Sequence, residues 1–269
     1  MNDLRISIIG AGNIGSAIAR GILEAELTKN GTLYITRRKV EAIEKFKQMG
    51  AIVTSDNSEA IVNSDFIIIA VTPQQLNELL FSIKDSLENK SIISVVSGAL
   101  IADYKKYVPS TCKVIRAMPN TAIAIKQSMT CLCAESKNDE TLNIAKKIFD
   151  CLGKTIVINE SQMNAATALC ACGIAFFLRA IRAASQGGIE IGFHSEEALF
   201  MASQTALGAA ALLLDSESHP ENEVDKVTTP KGCTISGLNQ LEHNGFSSAL
   251  IKGIVTSAQK AEVLYSRIS

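Results

Sequence analysis

The chain has 269 residues, enough for one large domain or two ordinary ones, and its 47% hydrophobic against 20% charged residues exclude a disordered polymer. A formal net charge of −1 excludes any general attraction to nucleic acid or to an anionic membrane surface, so charge selectivity must be local. Seven cysteines, an odd number without a C-x-x-C pair, and three scattered histidines read as reduced, mostly buried thiols of a cytoplasmic protein with no metal site.

In chain order, Ile6-Ser7-Ile8-Ile9 is a short apolar run that reads as a buried strand starting near residue 5, with no signal peptide expected before it. It passes directly into Gly10-Ala11-Gly12-Asn13-Ile14-Gly15, which has the form G-x-G-x-x-G, and then into an alanine-rich helix to about residue 26. Strand, glycines and helix in this order suit a dinucleotide pyrophosphate. Gly10 permits the tight turn, Gly12 lets the backbone approach the phosphates, Gly15 brings helix and strand together, and Asn13 and Ile14 open the helix whose positive end faces the anion.

A second strand over 32–36 precedes a helix over 40–49, and a short strand over 51–54 precedes a small helix over 58–62. The unbroken apolar run 66–71 reads as a central parallel strand, followed from Pro73 by a helix to about 87 and by a strand over 91–96. Two further strands are expected at 113–116 and 155–158. This alternation predicts an α/β fold with a doubly wound, Rossmann-type parallel sheet over residues 1–160.

Strand 2 ends Thr36-Arg37-Arg38-Lys39, with cations where an acid accepting the ribose hydroxyls of NAD would stand, so NADP(H) is the expected cofactor and NADH the alternative. Asn57 is a further expected contact. At the carboxyl end of the sheet, Ala70-Val71-Thr72-Pro73 is expected over the cofactor; in Arg116-Ala117-Met118-Pro119-Asn120-Thr121, Asn120 is either a contact on the nicotinamide side or an ordinary turn residue.

Residues 161–269 carry no strand signal and read as a helical domain. One long helix is expected over 161–186, ended by Gly187-Gly188, with its apolar stretch 165–178 buried and too short to span a bilayer. Ser195 caps the next helix to about 215, another starts near Thr234, and the last covers about 246–266. Between them, Thr228-Thr229-Pro230-Lys231-Gly232-Cys233-Thr234 is a hydroxyl-rich loop running into a helix, either a seat for a carboxylate or a plain cap.

These segments resemble the pyrroline-5-carboxylate reductase family over nearly the whole chain, through the Gly10–Asn13 turn, Ala70–Pro73, Arg116–Thr121, Gly187-Gly188 with Gly192, and the threonine-rich loop. The resemblance implies reduction of L-Δ1-pyrroline-5-carboxylate to L-proline with NAD(P)H. It implies that Thr229, Gly232 and Cys233 hold the substrate carboxylate, largely through backbone N–H groups, while Thr234 bonds the ring nitrogen as the catalytic residue. It also implies that the helical domain builds a homodimer, assembled in some members into a decamer of five dimers.

The chain departs from the family pattern at several places. Cys170-Ala171-Cys172-Gly173-Ile174-Ala175 stands for S-G-S-G-P-A, which predicts a straighter, tighter helix; Arg182 takes a usually acidic place, Lys231 that of a loop glycine and Thr72 that of a lysine. Two rivals stay open: a non-catalytic NADP-binding paralogue, and a β-hydroxyacid dehydrogenase-like reductase, which would need a lysine that 161–186 lacks.

Overall fold

The computed structural model describes residues 4–136, 140–216 and 218–263. The chain forms two compact units, one of residues 1–172 with 257–269 and the other of residues 173–256.

The first unit is an eight-stranded sheet flanked by helices. β1 (Ile6–Ile9), α1 (Asn13–Glu24) and β2 (Leu33–Thr36) come first, then a run of 3-10 turns over Val40–Met49, which Gly50 ends at φ 94°. β3 (Ile52–Thr54), α2 (Asn57–Val62), β4 (Phe66–Ile69), α3 (Pro73–Ile83) and β5 (Ser91–Ser94) follow. α4 (Ile101–Lys105), β6 (Lys113–Met118), β7 (Ser128–Ala134), α5 (Glu140–Asp150) and β8 (Gly153–Val157) complete the sheet. Its order is β3-β2-β1-β4-β5-β6-β7-β8, parallel throughout except that β7 runs antiparallel to β6. The expectation of a parallel sheet is corrected at that one pairing. A short connection of 119–127, with a 3-10 turn over Thr121–Ile125, returns the chain beside β6, whereas a parallel return needs a longer crossover. β7, α4 and α5 were not foreseen.

Both faces of the sheet are buried. Ile67 and Ile69 of β4 pack on one side with Leu76, Leu80 and Ile83 of α3 and with Tyr104, while Ile68 packs on the other with Ile18 and Ile22 of α1, Ile43 and Phe46. Strands sandwiched in this way read as continuous apolar runs and not as alternating ones. Arg116 of β6 is 2% exposed; its Nη1 donates to Glu160 Oε1 at 3.1 Å, and the same oxygen accepts the backbone N–H of Ile101 at 2.7 Å, tying β6, α4 and the start of the helical region together.

That region differs from the single buried helix expected. After α6 (Met163–Ala166) the chain makes a π turn over Thr167–Cys172, then α7 (Gly173–Glu190). The turn is wider, not straighter and tighter as expected: Asn120 Nδ2 donates to the Cys170 carbonyl at 3.1 Å and so competes with the helical ladder for it. Gly187-Gly188 does not end α7. The helix runs on to Glu190, and Gly192, at φ 112°, supplies the left-handed terminus.

In the second unit α7 packs on α8 (Ser195–Ser216), close enough that a Cβ at Gly188 would lie 3.0 Å from that of Ala198. α9 (Pro220–Lys226), α10 (Cys233–His243) and α11 (Phe246–Glu262) follow, so the helix foreseen over 246–266 is described to 262. The apolar stretch is buried only in part: Ala168 is fully covered, but Phe177 and Leu178 are each 58% exposed, and on α8 Phe200 is 71% and Leu214 83% exposed. The helical runs Glu160–Glu190 and Ser195–Ser216 are, by length and composition, long enough to cross a membrane, so the length argument drawn from 165–178 alone does not hold.

Gly153, at φ 147°, opens β8 with a Cβ position that would collide with the Ser128 backbone. Gly153→Ala is expected to destabilise the first unit by about 2 kcal/mol and lower its thermal midpoint by several degrees, as read by calorimetry.

Candidate dinucleotide site

The chain order places β2 and β3 on one side of β1 and β4 on the other, so the sheet reverses direction of winding between β1 and β4. Loops beyond the carboxyl ends of two such strands diverge and leave a crevice. The loop after β1 is held in shape by its own backbone: Gly12 N donates to Gly10 O at 2.9 Å, and Ala11 N donates to Thr36 O at 2.9 Å. Gly10 has φ 96°, and a Cβ there would lie 2.9 Å from the Ala70 carbonyl, so glycine is required both by conformation and by the loop after β4. At Gly15 a Cβ would collide with Gly10 O.

Gly12 differs from both. A Cβ there would meet nothing within 4 Å, because its open edge faces a cavity of about 690 Å³. α1 starts there with no side-chain cap and no acidic residue in its first turn, leaving donors and a positive dipole end for an anion. The cavity therefore fits a dinucleotide pyrophosphate.

The sequence-expected residues divide. Gly10 and Gly12, Thr36, Arg37 and Arg38, Asn57, and Ala70, Val71 and Thr72 all line this one cavity. Asn13, Ile14 and Gly15 lie in the first turn of α1 and Pro73 opens α3, following lining residues in sequence but not themselves part of the lining. Asn120 is also absent from it. Its Oδ1 accepts the Ala122 N–H at 3.0 Å and its Nδ2 holds Cys170, so its side chain does the work of a turn residue. Thr36 Oγ1 donates to Asn57 Oδ1 at 2.7 Å, joining the ends of β2 and α2. Thr72 caps α3 with Gln75, whose Oε1 accepts its hydroxyl at 3.1 Å.

Charge at the β2 end favours a phosphate. Arg37, Arg38 and Lys39 are exposed on the cavity rim, and Arg37 Nη1 donates to Ala11 O at 3.2 Å, so this arginine also braces the glycine turn. The nearby acid Asp56 is committed to the N-terminus of α2, accepting from Ser58 N at 2.8 Å and Glu59 N at 3.2 Å. Missed from sequence were Ser55 and the α3 face of Gln75, Glu78, Leu79 and Ser82, whose spacing of three, four and seven residues would have marked them as one side of a helix. Glu78 is the single carboxylate among the lining residues, against three cations.

In the second unit, Thr229, Gly232, Cys233 and Thr234 fall together at the start of α10. Gly232 N donates to Thr229 O at 2.9 Å, and Gly232 is the N-cap of a helix without a side-chain cap. A Cβ at Gly232 would press on Thr229 Oγ1 and lie 3.0 Å from its carbonyl oxygen; Lys231, at φ 60°, takes the left-handed conformation that a glycine would adopt freely. Cys233 is exposed. Among the described residues no group of three or more His, Cys, Asp or Glu side chains is placed to hold a metal ion.

Sheet, glycine turn and cationic rim together define a dinucleotide-binding protein of the Rossmann type. Known proteins agree in detail. A family model described as pyrroline-5-carboxylate reductase dimerisation matches residues 160–264, and one described as NADP oxidoreductase, coenzyme F420-dependent, matches residues 5–98. Pyrroline-5-carboxylate reductase 1 of Dictyostelium discoideum is 52% identical over 98% of this chain, which spans half the length of that relative. Pyrroline-5-carboxylate reductase 2 of the same organism is 46% identical over 97% of this chain and 93% of its own. A crystal structure of Plasmodium falciparum pyrroline carboxylate reductase with NADP bound superposes with a TM-score of 0.89, at 26% identity, covering 98% of this chain and 99% of that one. The chain belongs to the pyrroline-5-carboxylate reductase family.

Replacing Arg38 by alanine, which leaves the Arg37 brace on the glycine turn in place, is expected to raise the KM for NADPH at least tenfold while moving that for NADH by no more than about twofold, since a charge-assisted phosphate contact is lost only with the former. Steady-state kinetics with both cofactors checks this.

Proposed function

We propose that this chain reduces L-Δ1-pyrroline-5-carboxylate to L-proline with NADPH, NADH serving as the weaker donor. The observation that carries the reading is the phosphate-ready cavity with its cationic rim, in a chain that aligns along almost its full length with reductases of this name. Gly10, Gly12 and the first turn of α1, with Asn13, Ile14 and Gly15, hold the pyrophosphate through backbone donors. Thr36, Arg37, Arg38 and Asn57 take the adenosine end, Ala70–Pro73 shape the cavity wall, and Asn120 orders the turn after β6. NADPH, when bound, supplies the hydride.

The 229–234 loop takes the substrate. The Gly232 N–H closes the turn onto Thr229 O, so the N–H groups at Cys233 and Thr234 at the start of α10 hold the carboxylate, and Thr229 and Gly232 set the turn that presents them. The Thr234 hydroxyl positions the ring nitrogen. A protonated imine already accepts hydride readily, so orientation carries most of the rate, which suits a loop of threonines and glycines with no histidine or carboxylate pair. Seven cysteines in odd number support a cytoplasmic location, and the near-neutral charge speaks against nucleic-acid or membrane partners.

The helical module, which we assign to residues 161–269, is expected to make a homodimer, with a decamer of five dimers as the larger assembly. α8 has a single buried residue, Ala198, and a row of exposed apolar side chains that water disfavours.

Following NADPH absorbance in the presence of pyrroline-5-carboxylate tests the activity: steady loss supports it, and NADPH binding without turnover points to the non-catalytic paralogue. Thr234→Ala is expected to lower kcat/KM by roughly ten- to hundredfold, the loss of one hydrogen bond to a charged group, with the thermal midpoint unchanged. The pair Phe200→Glu and Leu207→Glu, seven residues apart on one face of α8, is expected to reduce the sedimenting species to a single chain.

A further inference from the structure

Two cysteines outside the cofactor cavity lie side by side. Cys131, on β7, is 3% exposed, and its sulfur is 3.8 Å from that of Cys170 in the π turn. Among the described residues this is the thiol–thiol contact of the chain. The backbone on both sides is held in place. β7 is paired along both edges, with Met118 opposite Cys131 on β6 and Ile156 opposite it on β8. The Cys170 carbonyl is gripped by the Asn120 side chain, and Thr167 Oγ1 donates to Met163 O at 2.8 Å one turn earlier.

We infer that Cys131 and Cys170 form a redox-active dithiol that closes to an intramolecular disulfide on reaction with a hydroperoxide.

The two thiols are not equivalent. Cys170 is part-exposed and is lowered to about 7, chiefly because Cys131 donates a hydrogen bond to its sulfur. Cys131 is pushed far above the ordinary thiol range by that same bond and by burial. Cys131 is buried and Cys170 part-exposed, so Cys170 is the sulfur that a peroxide reaches and Cys131 the resolving thiol behind it. The other candidates lack this arrangement: burial raises Cys112 and Cys133 to about 11, and Cys151 gives its S–H to the Lys147 carbonyl.

In the first step the Cys170 thiolate attacks one peroxide oxygen. The O–O bond breaks, Cys170 becomes a sulfenic acid, and hydroxide leaves. The Cys131 thiol then attacks that sulfur; the S–O bond breaks, the S–S bond forms, and water departs with the thiol proton. Two electrons pass from the sulfur pair to the peroxide. A dithiol reductant reverses the change. Bond formation needs the sulfurs to close from 3.8 Å to about 2 Å. The product staples β7 to the π turn just before Gly173, where the second compact unit begins in sequence.

This inference does not rest on the reductase reading. The full chain, treated with a small excess of hydrogen peroxide and then alkylated, is expected to lose the mass of two hydrogens and to protect two thiols. Fragment spectra should assign the link to 131 and 170 and not to 133 or 172, and dithiothreitol should restore both thiols. Cys170→Ser should abolish the link, Cys131→Ser, which keeps a donor beside Cys170, should leave a sulfenic acid at Cys170 that dimedone traps, and Cys151→Ser should behave as the parent. If Cys131→Ser does not fold, Cys170→Ser, at a part-exposed site, decides alone. A link between any other pair, a link between two chains, or free alkylation of both thiols after peroxide overturns the inference.

Discussion

The structure depends on one close approach, between the glycine turn after β1 and the backbone after β4. Those strands are neighbours at the point where the winding of the sheet reverses, so their loops must part to make a crevice and yet touch at its base. Gly10 meets Ala70 there with no room for a side chain, and Gly15 lets α1 settle against the same turn. The consequence is a helix N-terminus aimed into an open cavity, its donors unspent. A side chain at Gly10 would separate the loops and turn that positive end away from the phosphate position.

Around this constraint the first unit is conventional in its energetics. Apolar strands are covered on both faces, and the buried Arg116 is paired across elements with Glu160. The second unit is different. Its helices leave large aliphatic and aromatic side chains in water, which a chain existing alone would pay for in solubility and stability. The match to a dimerisation family model over 160–264 is consistent with that exposed surface, since apolar side chains of this kind are covered where copies of a chain meet.

The β1 turn was fully legible, because its information is local: strand, three glycines and helix follow one another within ten residues. The cationic end of β2 was legible for the same reason. Asn120 was open between two roles, and its hydrogen bond to a carbonyl fifty residues away is visible only in the fold. The α3 face lining the cavity was readable in principle from its helical spacing, but nothing in the residues said which side of α3 faced the crevice. β7 escaped notice because its cysteines, methionine and hydroxyls carry no strong alternation, and its direction is set by a short return that the sequence does not announce.

The residues by themselves determined the phosphate cradle, the cationic end of β2 and the division between a sheet-bearing and a helical part. Each of these is written in neighbouring side chains and short-range backbone preference. Tertiary structure alone decided the wide turn at 167–172, where a straighter helix was expected, and the contact of Cys131 with Cys170. Both arise where groups distant along the chain meet at one hydrogen bond or packing place, and local propensity holds no record of that meeting.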